Sequence, residues 1–195
     1  MKLESSQRST PPGPEVGAEP SIEPHAGFAG LELPPPTALL RALEEVPPVV
    51  AAHWTAFANS ILTHGHVPPD MKEVAILRTA VCRKAAYIEH AHRLIGRHLG
   101  LSARDVELVT DPRSTARDFV HNRLAGAVLS STDQLLQTGE IDERTRAVLA
   151  AELGAPNHTE LAMIVGQYET VSLICRVNGL EPEPVRKTRH TMHRS

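Results

Sequence analysis

The sequence predicts an all-α fold, and three observations support this prediction. After residue 36, apolar residues recur at intervals of three and four, which is the spacing of a helix with one buried face. No stretch shows the strict alternation of apolar and polar residues that a half-buried strand requires. Proline and glycine residues separate the periodic segments, as they do at helix ends. Because 41% of the 195 residues are hydrophobic, the chain can build a core without a metal or a disulfide.

About seven to eight helical segments are expected, and most are bounded by residues that begin or end helices. Proline is allowed in the first turn, serine and threonine cap the start, and glycine commonly follows the end. In chain order the expected helices are 38–46, 49–63, 69–83, 86–99, a short helix to residue 109, 114–138, 142–153 and 158–178. The residues expected to begin helices are Thr37, Pro68-Pro69, the Ser102 and Asp105 cap, and Asp111-Pro112. The residues expected to end helices are Pro47-Pro48, Gly65, Gly100, Gly139 and Gly179.

The ends of the chain have a different composition from its body. Residues 1–36 hold eight of the sixteen prolines, and such a segment buries too little apolar surface to offset the entropy of ordering it. We therefore expect a disordered Pro-rich leader over 1–36, a helical domain over 37–184 and a frayed basic tail over 185–195. The leader has no apolar core of a signal peptide, and no apolar run reaches the ~20 residues that span a bilayer. A cytoplasmic protein without membrane contact is expected.

Charge and cysteine usage narrow the possible partners. The net charge is −3 with neutral histidines, and basic and acidic residues are interspersed without the basic stripe of a nucleic-acid-binding protein. Nucleic acid is therefore not an expected partner.

Cys82 and Cys175 are the only cysteines, and each lies in an apolar helical pattern. We expect both to be buried, reduced side chains, although the sequence leaves a disulfide between them open.

Candidate site residues lie on the two helices expected over 69–83 and 86–99. Glu73 shares one stripe with Leu77, four residues later, so its carboxylate borders the apolar face. His92 likewise shares a stripe with Ile95 and is expected to point inward. The opposite, solvent-facing side of the first helix is expected to carry Lys72, Thr79 and Arg83.

A short turn near residues 84–86 would lay these two helices antiparallel. At a rise of ~1.5 Å per residue, Glu73 and His92 would then lie within about one turn of the same level. A carboxylate facing an imidazole is a usable general acid/base pair, and the Tyr87 hydroxyl would offer a third polar group. The same spacing also fits a buried, mutually satisfied pair that only fixes the helix register.

Three segments together resemble the carboxymuconolactone decarboxylase and alkylhydroperoxidase D-like proteins. The first is the proline–Lys-Glu–apolar helix from Pro68 to Arg83, and the second contains Tyr87 with His92 five residues later. The third is the final helix with Glu160, Tyr168 and the Asn178-Gly179 end. The resemblance covers residues 39–184. It implies a helical bundle of the alkylhydroperoxidase D type and a homo-oligomer whose site lies near a subunit boundary.

This chain departs from the family at several chemical positions. The glutamate and histidine of the peroxidase branch correspond to Glu73 and His92, but its two cysteine positions are Ala85 and Ile88. The dithiol mechanism is therefore not expected. Where the decarboxylase branch carries Tyr-Glu-Trp, this chain reads Tyr87-Ile88-Glu89. A further Asp-Glu-Leu-His run of the family reads Asp133-Gln134-Leu135-Leu136 here.

The resulting hypothesis is cofactor-free acid/base chemistry on a small carboxylated or lactone-type organic acid. His92 would move a proton next to a carbonyl, Glu73 would orient His92, and Tyr87 would hold the enol or carboxylate oxygen. Decarboxylation, isomerisation and ring opening all remain open. Two alternatives are a non-catalytic oligomeric binding module and residual peroxidase activity at Cys82. No metal is expected, because neither His64-x-His66 nor Glu89-x-x-His92 has enough partners.

Overall fold

The computed structural model describes residues 37–154 and 157–182. Within these ranges all regular structure is helical, as the sequence predicts. The helices are α1 (Thr37–Leu43), α2 (Pro48–His64), α3 (Pro69–Cys82), α4 (Ala86–His98), α5 (Ala103–Thr110), a 3₁₀ turn (Ala116–Asp118), α6 (Arg123–Thr138), α7 (Glu143–Leu153) and α8 (His158–Val177). The predicted leader (1–36) and basic tail (185–195) lie outside the described residues. None of the described helices combines the length and apolar character needed to cross a bilayer.

Helix α3 forms the centre of the bundle. It packs against α4, α5, α6 and α8, and every residue from 71 to 80 is buried. The prediction that Lys72 and Thr79 face solvent is therefore wrong, because neighbouring helices surround α3 on all sides. Both polar groups are satisfied within the protein: Lys72 Nζ donates to the Ile61 carbonyl at 2.7 Å, and Thr79 Oγ1 donates to the Ala75 carbonyl at 2.8 Å.

The helix predicted over 114–138 is interrupted. Thr115 and Asp118 form a capping box around the 3₁₀ turn, and α6 begins only at Arg123. The Asn122 side chain accepts from the Ala125 backbone N–H at 3.1 Å and so caps α6. The break brings Phe119 into the core, which a continuous helix with a single buried face would not do at this point.

A buried arginine ties α3 to α6 and to the segment after α5. Arg78 donates to both carboxylate oxygens of Asp133, at 2.6 and 2.9 Å, and also to the carbonyls of Asp111 at 2.8 Å and Ser114 at 3.2 Å. This network explains how an irregular segment stays fixed against α3.

The cysteines only partly follow the sequence-based expectation. Both are free thiols, which excludes a disulfide between them, and Cys175 is buried as predicted. Cys82 is exposed, because it is the last residue of α3, beyond the fully buried stretch.

Candidate active site

The turn between α3 and α4 sets up the candidate site. Lys84 adopts a left-handed backbone conformation, with φ 54°, and this reverses the chain direction within the three residues, 83–85, that join α3 to α4. The Ala85 N–H then donates to the Ala80 carbonyl at 2.8 Å. Helix α4 therefore runs back along α3, in the arrangement that the sequence predicts.

Glu73 and His92 meet across this helix pair. His92 Nδ1 lies 2.8 Å from Glu73 Oε2, and the exposed fractions are 2% for Glu73 and 8% for His92. An ionised carboxylate only accepts hydrogen bonds, so the Nδ1 position carries the proton in such a pair. The second ring nitrogen, Nε2, then holds the free lone pair and is the basic nitrogen.

Tyr168 of α8 forms a third side of the candidate site. Its ring meets the His92 ring edge-on, with centroids 5.1 Å apart and planes at 89°. Burial, and to a lesser extent the charge of Glu73, raises the pKa of the Tyr168 hydroxyl well above its ordinary value. This phenol therefore stays protonated throughout the neutral range and is available as a hydrogen-bond donor.

Each of these two rings carries one polar atom without a partner in the described chain. Within the described residues, neither His92 Nε2 nor the Tyr168 hydroxyl makes a hydrogen bond. In the same part of the chain, the fully enclosed side-chain atoms without a partner are Gln167 Nε2 and Ser172 Oγ. Since the His92 and Tyr168 atoms are not among those enclosed atoms, both retain contact with solvent.

Tyr87, the third polar group suggested by the sequence, is buried on α4. Five residues separate it from His92, which places the two side chains about 140° apart around the helix axis. Its role at the site stays a prediction. Ala85 and Ile88, at the cysteine positions of the peroxidase branch, are buried apolar members of the core.

Two polar clamps fix α8 against α3. Near the start of α3, Glu160 accepts from the backbone N–H groups of His66 at 2.7 Å and Val67 at 3.1 Å, and Lys72 Nζ lies 3.7 Å away. Burial lowers the pKa of Lys72, and Glu160 offsets part of that effect. Near the end of α3, Arg83 Nε donates to Glu169 at 2.7 Å. The clamps hold Tyr168 in place over the pair.

Gly65 allows the first clamp to form. A Cβ atom at this position would lie 1.8 Å from Glu160 Oε1 and 2.9 Å from Lys72 Nζ. The φ of Gly65 is −75°, a value open to any residue, so the glycine is needed for space rather than for backbone freedom.

The other polar clusters show fewer features of a functional site. Within the described residues, no group of three His, Cys, Asp or Glu side chains is arranged to hold a metal ion. A surface groove beside α5 is lined by Arg104, Glu107, Asp111 and Arg113, among others. Arg104 pairs with Glu107 and Arg113 with Asp111. The third carboxylate of the groove, Asp118, accepts from the Thr115 backbone N–H at 2.8 Å, so each charged group already has a partner within the protein.

Comparison with known families supports the assignment made from the sequence. Residues 48–119 match the model of the Carboxymuconolactone decarboxylase family. The resemblance to this family is thus confirmed. The matched region extends from α2 to Phe119 and contains both Glu73 and His92, whereas α8 and Tyr168 lie beyond it. No curated protein and no solved structure matches the chain.

Tyr168 is the site residue that sequence reasoning missed. In the sequence it stands out only as part of the family-like final helix. Its position on the inward stripe of that helix, four residues after Ile164, was the available signal. That stripe shows that Tyr168 is buried but does not show which helix it meets.

Proposed function

We propose that this protein is an enzyme that performs cofactor-free acid/base chemistry on a small carboxylated or lactone-type organic acid. The observation that carries the proposal is the 2.8 Å contact between buried Glu73 and His92 Nδ1, together with the unpaired Nε2. Decarboxylation, isomerisation and ring opening all pass through an enolate, and each begins or ends with a proton transfer beside a carbonyl.

In the proposed reaction His92 Nε2 removes the proton next to the carbonyl carbon. The imidazole becomes an imidazolium, and the Glu73 carboxylate stabilises that charge through the Nδ1–H hydrogen bond. Because Glu73 is almost fully enclosed, this interaction is stronger than it would be in water. His92 then returns the proton to carbon or to the leaving oxygen, which restores the starting state. General acid/base groups of this kind typically contribute about 10²–10⁴-fold to the rate.

The test is a proton-exchange measurement that does not depend on which later step follows. A panel of lactone acids and β-keto acids is incubated with the protein in D₂O, and loss of the α-proton signal is followed by NMR. We expect exchange of at least one acid, and a fall of about 10²-fold or more in His92→Ala. His90→Ala is the matched control, because His90 is an exposed histidine on the same helix.

Exchange that persists in His92→Ala would contradict the proposal, as would the absence of exchange throughout the panel. In the second case the Glu73–His92 contact would be a structural pair, and the chain would be a non-catalytic binding module on the same scaffold. Helicity and assembly state are measured in parallel, so that a loss of exchange is not confused with a loss of folding.

Peroxidase activity at Cys82 has less support. Although Cys82 is exposed as a residue, desolvation by the surrounding protein raises the pKa of its thiol, and Asp133 adds to this against the lowering effect of Arg78. The thiolate that such a mechanism requires is therefore disfavoured at neutral pH.

A homo-oligomer is also part of the proposal, and a cytoplasmic location remains the expectation from the sequence. The support for self-association is a set of apolar side chains that the described chain leaves exposed on α2 and α8: Val49, Val50, Phe57, Met163, Leu173 and Val177. Exposed apolar groups on two helices that contact each other are a common feature of protein–protein interfaces.

A further inference from the structure

An enolate needs a hydrogen-bond donor for its oxygen as well as a base for its proton. We propose that the Tyr168 hydroxyl, rather than that of Tyr87, binds the developing oxyanion of the substrate beside His92. This inference rests on the proposed acid/base function. It also assigns the substrate a requirement, namely a carbonyl or carboxylate oxygen adjacent to the carbon that loses the proton.

The position of Tyr168 is the first support. Its ring contacts the ring of the proposed base itself, at a centroid separation of 5.1 Å. We therefore expect a substrate whose acidic C–H approaches His92 Nε2 to bring its carbonyl oxygen toward Tyr168. Tyr87 projects from α4 about 140° away from His92, so it does not share this direction.

The state of the hydroxyl is the second support. Within the described residues the Tyr168 hydroxyl has no hydrogen-bond partner, and it retains contact with solvent. Both burial and the negative charge of Glu73 keep it protonated. A protonated donor placed in a mostly enclosed site is suited to an oxygen on which charge develops, because it needs little rearrangement during the reaction.

The surrounding contacts would hold Tyr168 rigidly. Glu169, the next residue, pairs with Arg83 of α3, and Glu160 fixes the start of α8 to the loop before α3. Binding groups contribute most when their supporting residues are already fixed, because less ordering occurs on binding.

The test uses a stable enolate mimic. 3-Nitropropionate carries a carboxylate and forms a nitronate anion, and its dissociation constant is measured by calorimetry with the full chain. We expect Tyr168→Phe to weaken binding about tenfold or more, since a hydrogen bond to a charged group is lost. Tyr87→Phe is the matched control and is expected to change binding less than about twofold. Gln167→Leu, which removes an unpaired amide on another side of α8, serves as a second control with the same expectation.

The chain contains two tyrosines, so Tyr87→Phe leaves Tyr168 as the only phenol. In that variant we expect the phenol absorbance to shift when the nitronate binds. The inference is overturned if Tyr87→Phe weakens binding and Tyr168→Phe does not, if neither has an effect, or if the unmodified protein does not bind the mimic. None of these outcomes affects α-proton exchange by His92, so failure of this inference is distinguishable from failure of the proposed function.

Discussion

Replacing Gly65 with alanine tests whether the clamp at the start of α3 is as important as its geometry indicates. The new Cβ would lie 1.8 Å from Glu160 Oε1, so the carboxylate must move. Moving it weakens its hydrogen bonds to the His66 and Val67 N–H groups and separates it from buried Lys72. One lost hydrogen bond to a charged group costs about 1.5–3 kcal/mol.

A second effect acts in the opposite direction. The Gly65 backbone angles, φ −75° and ψ 171°, suit alanine, and a glycine-to-alanine change at a compatible position stabilises by ~0.4–1 kcal/mol through the unfolded state. We therefore expect Gly65→Ala to lower the free energy of unfolding by about 1–2 kcal/mol, measured by urea denaturation.

A double-mutant cycle with Glu160→Ala isolates the cause. With the carboxylate removed, the alanine Cβ meets chiefly the flexible end of Lys72, so Gly65→Ala should become neutral or stabilising in that background. The expected coupling between the two positions is about 1–3 kcal/mol. Equal destabilisation by Gly65→Ala with and without the Glu160 carboxylate would refute the reasoning, because the cost would then not arise from the clamp.

Three further predictions follow from other contacts. Arg78→Ala should lower the free energy of unfolding by about 3–5 kcal/mol, since it leaves Asp133 without its buried partner. A loss below ~1 kcal/mol in urea denaturation would show that the hydrogen bonds of Arg78 contribute little to stability. The pKa of the Tyr168 hydroxyl is raised in the folded protein, so as pH rises the unfolded chain loses this proton before the folded one does, near the ordinary pKa of 10.0. The free energy of unfolding should therefore fall as pH rises above that value. The same denaturation assay should show a smaller fall in Tyr168→Phe. If the proposed homo-oligomer forms through the exposed apolar residues of α2 and α8, Phe57→Ser should lower the mass measured by light scattering without changing helicity. An unaltered mass would contradict a subunit contact at Phe57.

Much of the fold could be predicted because its signals are local. The Ser102–Asp105 capping box forms as expected, and Gly139 takes the left-handed conformation after α6, with φ 77°. The break before α6 is different. Whether Phe119 continues a helix or enters the core depends on partners far along the chain, and no spacing rule contains that information.

The same distinction between local and long-range contacts applies to the candidate site. The contact between Glu73 and His92 could be predicted because a connection of only three residues joins their helices, so helical spacing and rise determine the relative level of the side chains. The burial of Lys72 and the approach of Tyr168 depend on α2 and α8, which are distant in sequence from the residues they meet. Periodicity identifies inward-facing residues but does not identify their neighbours.

The two ring nitrogens of His92 differ in their hydrogen bonding, and this difference favours a catalytic role over a purely structural one. A histidine that only fixes helix register can have both ring nitrogens enclosed and paired within the protein, whereas a proton-transfer group needs one nitrogen that a substrate can reach. Here Nδ1 is held by Glu73 at 2.8 Å, while Nε2 has no partner in the described chain and retains contact with solvent. The hydroxyl of Tyr168, whose ring contacts the imidazole, is also unpaired within the described residues. One nitrogen held by a carboxylate and a second nitrogen open to solvent are what a proton transfer beside a carbonyl requires of its base.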